Sequence, residues 1–140
     1  LIVAGESYKN YPKVFDIAQE KIADRIIHFG FAKNSTHYKK LLLQSDIIPV
    51  TSNQDFFGIS VVEAIAAGCI PLMPNRLAFP EHLPDHPNLY INTENELCEK
   101  LSNLILAQPK ESENLRNHIL KYDWTTIAPI YDVFFESILK

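Results

Sequence analysis

The chain has 140 residues, 46% of them apolar and 21% charged, with 13 basic and 17 acidic side chains and a formal charge of −4. That length and apolar share supply one domain-sized core, which excludes a disordered chain, a collagen-like repeat and a disulfide scaffold. No apolar run reaches the roughly 18 residues of a membrane span, and the acidic balance argues against this chain alone gripping a nucleic-acid backbone.

Residues 1–5 are an apolar run closed by Gly5 and read as a first strand. A chain that opens inside a strand, with no Met and no signal-like segment, reads as a piece of a longer protein. Residues 13–24 place Val14, Phe15, Ile17, Ala18 and Ile22 at helical spacing. Residues 25–31 form a second strand with Gly30 near its end, and 35–45 a helix with Ser35 as its N-cap. Residues 46–52 are a third strand, in which Pro49 is a demerit for a central position because it lacks the ladder's N–H.

Residues 57–67 read as a helix ending at Gly68, the expected residue just past a helix end. Strands follow at 69–74 and 88–92, then helices at 94–107, 111–121 and 124–139. Five strands separated by helices predict parallel pairing and right-handed crossovers: an α/β, doubly wound, Rossmann-like sheet in one domain over residues 1–140. Cys69 and Cys98 lack metal-ligand spacing and read as buried or half-buried thiols of a reducing, cytoplasmic compartment.

Ligands of such sheets sit at the carboxyl ends of the strands, so the loops to examine are 5–11, 30–35, 52–58 and 74–83. The third is the richest. It runs Ser52-Asn53-Gln54-Asp55-Phe56-Phe57-Gly58-Ile59-Ser60-Val61-Val62-Glu63 from a strand end into a helix. Unpaired N–H groups of Gly58, Ile59 and Ser60 would face an anion above the helix start, where the dipole favours a diphosphate. On a continuous helix Asp55 and Glu63 would lie about 12 Å apart along the axis and about 80° apart around it. That separation fits the reach from the sugar to the ribose of a nucleotide sugar. The plainer alternative makes Asp55 a helix N-cap and Glu63 one polar residue of an amphipathic helix. Against it, Glu63 is flanked by Val61, Val62, Ala64 and Ile65, and a carboxylate buried there would need a partner such as a ribose diol.

The stretch 45–74, SDIIPVTSNQDFFGISVVEAIAAGCIPLMP, resembles the donor-site signature of retaining GT-B glycosyltransferases of family four. Gly5-Glu6-Ser7, His28-Phe29-Gly30-Phe31, Asp55-Phe56-Phe57-Gly58, Ala67-Gly68-Cys69, Pro71-Leu72 and Phe79-Pro80-Glu81 narrow the resemblance to the tRNA-queuosine mannosyltransferase family. The resemblance implies a C-terminal, donor-binding half of a GT-B enzyme. It also implies that GDP-mannose is the donor, that queuosine in tRNA is the acceptor, and that no metal or other cofactor is needed. Asp55 takes the place of the catalytic-site acid that holds donor-sugar hydroxyls, and Glu63 that of the acid holding the ribose diol. The amides of Gly58, Ile59 and Ser60 would take the distal phosphate and sugar, with Phe57 beside them. The loop beginning at Phe31 would flank the base, and Glu6 and Glu81 would edge the cleft. In such enzymes the departing phosphate itself deprotonates the incoming hydroxyl, so no protein nucleophile is expected.

Two departures stand out. Asp55 replaces the usual Glu, and the family's phosphate-clamping Arg and Lys, with the N-terminal acceptor domain, precede Leu1 in its pattern. These residues alone are therefore expected not to catalyse transfer. A non-hydrolysing nucleotide-sugar epimerase and a non-catalytic nucleotide-binding scaffold remain the alternatives.

Outside that segment, His82 reads as a loop residue that touches the donor or lies exposed. His28 reads as a core histidine, and His86 and His118 show no partner spacing. Lys33, Lys39 and Lys40 read as a solvated helix face, and Trp124, Tyr131, Phe134 and Phe135 as core or interdomain packing.

Overall fold

Every strand pairing is parallel, as the alternation of strands and helices requires. The computed structural model describes residues 1–5, 12–108 and 113–139. The chain divides into two units, Leu1–Ser45 and Asp46–Lys140.

In the first unit β1 (Ile2–Ala4) pairs with β2 (His28–Gly30), with Val3 opposite Phe29. Between them lie α1 (Val14–Lys21) and the 3₁₀ turn Ala23–Arg25, which shortens the predicted second strand. Helix α2 (Ser35–Leu43) is capped by Asn34, not by Ser35. Asn34 has extended backbone, and its Oδ1 accepts the His37 N–H at 2.8 Å. His37 returns the favour one residue earlier, its Nδ1 accepting the Lys33 N–H at 3.1 Å. This reciprocal pair satisfies two donors, in the manner of a capping box. His28 is half-buried, its Nε2 3.0 Å from the Gly30 carbonyl and its ring 5.0 Å from that of His37.

In the second unit β3 (Ile47–Pro49), β4 (Ile70–Pro74) and β5 (Tyr90–Ile91) form a sheet in the order β3-β4-β5. Pro49 is accommodated because β3 is an edge of that sheet. All five residues of β4 are buried, which explains its unbroken apolar run. Helix α3 (Ile59–Ala66) packs on the sheet through Val61, Val62, Ala64 and Ile65. Met73, Phe79, Leu83, Tyr90, Leu115 and Ile119 complete the core around it. Burying each large apolar side chain of this set contributes about 1.5–3 kcal/mol.

A short helix, α4 (Phe79–His82), escapes sequence reasoning, and the 3₁₀ turn Pro87–Leu89 takes up the start of the expected fifth strand. Helix α5 (Glu94–Ala107) has the expected bounds, with Thr93 Oγ1 capping the Glu96 N–H at 3.1 Å. It is followed by α6 (Glu113–Ile119) and, after the 3₁₀ turn Leu120–Tyr122, by α7 (Trp124–Ile138). The aromatic stripe of α7 is not core: Trp124, Tyr131, Phe134 and Phe135 are all exposed. Cys69 is buried but Cys98 is exposed, because Cys98 falls on the outer face of α5. Among the described residues no helix is long and apolar enough to cross a membrane.

Candidate donor site

The segment from β3 to α3 does not form the continuous helix that would put Asp55 and Glu63 about 12 Å apart. Helix α3 begins only at Ile59, and Asp55 lies in the turn ahead of it. Asp55 is half-buried, and its Oδ1 accepts the N–H groups of Phe57 at 3.1 Å and Gly58 at 2.6 Å. The expectation of an unpaired Gly58 amide is therefore corrected: Asp55 occupies it. Asp55 is not the N-cap either, since Gly58 holds that position. The N–H groups of Ile59 and Ser60 remain in the first turn, where a helix has no acceptor of its own for them.

Gly58 is required twice over. Its φ of +81° lies in the left-handed region, and an added Cβ would sit 2.8 Å from Phe79 Cε1.

Along α3, Val61, Val62, Ala64 and Ile65 face the core while Ile59, Ser60 and Glu63 share the exposed side. Glu63 is therefore not a buried carboxylate, as its apolar neighbours had implied, because those neighbours point away from it. Four residues on from Ile59, it stands about 6 Å further along the axis and about 40° around it. The exposed face of α3 thus carries three of the predicted ligand residues together.

His82 is the residue whose role sequence reasoning missed. It is neither in a loop nor exposed, but fully buried on α4. Its Nε2 lies 2.6 Å from the Phe57 carbonyl and its Nδ1 3.0 Å from the Tyr122 hydroxyl. Only a donor satisfies the carbonyl, so the neutral ring carries its proton on Nε2 and accepts the tyrosine O–H at Nδ1. Burial lowers the His82 pKa, with the Phe57 carbonyl opposing that shift. The rings of Phe57, His82 and Tyr122 meet edge to face at 4.9–5.4 Å. The Tyr90 hydroxyl donates to the Phe79 carbonyl at 2.9 Å and accepts the Leu83 N–H at 3.2 Å, fixing both ends of α4. Proline and glutamate at 80 and 81, in the first turn between the buried Phe79 and His82, were the available sign of this helix.

Glu81 is exposed, and its carbonyl accepts Lys121 Nζ at 2.7 Å. On the loop after β4, Arg76 Nη2 donates to the Ser52 carbonyl at 2.9 Å and to Asn53 Oδ1 at 3.0 Å. In the first unit, Phe31 is exposed and lines a cavity of about 290 Å³ with Gly5, Asn34, Ser35 and Tyr38, at the carboxyl ends of β1 and β2. Glu6 lies outside the described residues. His86 and His118, which showed no spacing relation in the sequence, meet edge to face at 5.2 Å. Among the described residues no group of three His, Cys, Asp or Glu side chains is placed to hold a metal ion.

Parallel α/β units, with an acid-closed strand-to-helix turn leading into a helix with one exposed face, are those of a Rossmann-like α/β domain. Residues 1–122 match the family described as glycosyl transferases group 1, and the chain belongs to it. Among curated proteins it is similar to the tRNA-queuosine alpha-mannosyltransferase of Drosophila melanogaster, 42% identical over 101 residues. That alignment covers 72% of this chain and 26% of the fly protein.

Proposed function

We propose that this chain is the donor-binding part of a retaining glycosyltransferase that transfers mannose from GDP-mannose to queuosine in tRNA, in the cytoplasm. The observation that carries the reading is the turn in which Asp55 is held by two backbone amides directly before the exposed Ile59–Ser60–Glu63 face. Family membership and the likeness to the fly enzyme support glycosyl transfer. The choice of mannose and of queuosine follows the motif resemblance of residues 5–81 together with that relative.

In this reading Oδ2 of Asp55 remains to accept a sugar hydroxyl, since both amide bonds fall on Oδ1. Glu63 accepts from the ribose diol, and the Ile59 and Ser60 amides face the diphosphate with the helix dipole behind them. The bond from sugar C1 to the diphosphate oxygen breaks as the acceptor oxygen bonds C1 on the same face. The acceptor's proton passes to the departing diphosphate. The protein then contributes positioning and stabilisation of the leaving charge, without a metal. An N-terminal half would supply the acceptor contacts and the remaining phosphate clamp.

The test is calorimetric titration of the full-length protein with GDP-mannose, UDP-glucose and the free diphosphates, with Glu63→Ala alongside. Selective GDP-mannose binding that weakens at least about tenfold in the variant supports the reading, since hydrogen bonds to a charged group each contribute about 1.5–3 kcal/mol. Failure of every nucleotide to bind refutes it.

A further inference from the structure

Between Val50, whose N–H donates to Leu72, and the Asp55 turn, residues 51–56 carry no regular structure, and all except Asp55 are exposed. Among the described residues, that stretch makes no hydrogen bonds besides those to Arg76 and those accepted by Asp55. The Arg76 fork onto Ser52 and Asn53 is thus the one tether ahead of the acid.

The loop that presents Arg76 is itself tightly determined. Asn75 is tied to the neighbouring strand end, its N–H donating to the Ile91 carbonyl at 2.9 Å and its Nδ2 to Asn92 Oδ1 at 3.3 Å. The Arg76 N–H closes a three-residue turn on the Pro74 carbonyl at 2.9 Å. Leu77, immediately after, adopts a φ of +57°, a left-handed conformation that a leucine takes only when its surroundings impose it. This geometry aims the exposed guanidinium across the carboxyl ends of β4 and β3.

We propose that Arg76 is a positioning residue for the donor site: by holding Ser52 and Asn53 it sets where Asp55 stands, and so governs grip on the donor's sugar. The proposal rests on the nucleotide-sugar reading above for the ligand, though not for the placement of Asp55. It makes Arg76 matter to a sugar-bearing ligand and not to a bare nucleoside diphosphate, which meets α3 downstream of the turn.

The experiment compares GDP-mannose and GDP binding to the full-length protein, to Arg76→Ala, to Asp55→Ala and to the double variant. The expected result is about a tenfold or greater loss for GDP-mannose in Arg76→Ala, no change for GDP, and no further loss when it is added to Asp55→Ala. Equal loss for both ligands means direct phosphate contact and overturns the proposal, as does unchanged affinity for both. Amide exchange at Phe57 and Gly58, whose N–H groups Asp55 accepts, reads the same placement without ligand. It should accelerate about tenfold or more in Arg76→Ala, with other core amides unmoved, and an unchanged rate overturns the proposal. If wild type binds neither ligand yet exchange accelerates, the nucleotide-sugar reading fails while the positioning role stands.

Discussion

Replacing Gly58 by alanine adds a single carbon, and the structure prices it in two parts. The left-handed backbone costs a residue with a Cβ about 1–2 kcal/mol. The new carbon also lands 2.8 Å from Phe79 Cε1, 3.4 Å from Cδ1 and 3.5 Å from His82 Nε2. Phe79 is 1% exposed and His82 is fully buried, so neither ring has room to withdraw, and overpacking of this kind costs about 1–3 kcal/mol. Together these give about 2–5 kcal/mol. With a urea slope of about 2 kcal/mol per M, a cost of about 3 kcal/mol lowers the midpoint by about 1.5 M at unchanged slope. Far-UV circular dichroism reads that shift. Gly30→Ala, at φ +112° with nothing within 4 Å of its added carbon, carries backbone strain alone, about 1–3 kcal/mol. A Gly58→Ala cost that does not fall when Phe79 is also shortened to Leu, relative to Phe79→Leu alone, refutes the packing half of the reasoning.

His82 titrates below its ordinary range because it is buried, so the unfolded chain binds its proton more readily than the folded one. Its contribution to stability is present above about pH 6.5 and is lost as pH falls from there toward the lowered folded value. The wild-type-minus-His82→Gln difference in urea stability should therefore shrink on acidification, and a flat difference from pH 7 to 5 contradicts this. Tyr122→Phe strips the donor from His82 Nδ1 and should cost about 1–3 kcal/mol by the same denaturation. Burial, with Asp46 adding to it, pushes the Cys69 thiol up to about 11, while Cys98 is exposed. A thiol reagent at pH 8 should label one cysteine in the native protein and two after unfolding, as counted by mass spectrometry.

The class of fold was legible because its signals are local. The all-buried β4 reads as an unbroken apolar run, and α5, with a Thr cap and a regular Leu spacing, has the expected bounds. Asp55, Gly58 and Glu63 were likewise visible as residue types at a strand-to-helix junction. What the sequence hid were contacts between distant segments. His82 bonds Phe57 and Tyr122, twenty-five and forty positions away, and no periodicity announces such partners. Glu63 misled for a related reason: apolar neighbours in sequence say nothing of the face they occupy once a helix turns them inward. The helix expected from residue 57 starts two residues later because propensity does not reveal that Gly58, in a left-handed conformation, holds its N-cap. Asn34 displaced Ser35 as a cap because either residue type serves, and only the backbone angles choose.

The contact between Gly58 and Phe79 constrains more than stability. Because the ring fills the space a side chain at 58 would need, the packing part of the cost at 58 depends on which residue stands at 79. A smaller residue at 79 opens room for a methyl group at 58, whereas the methyl group alone is rejected. The double variant Gly58→Ala with Phe79→Leu should accordingly be less impaired than the sum of its parts. The residue at 79 therefore sets the packing cost of any change in the turn beside the site, while the left-handed backbone at 58 keeps its own.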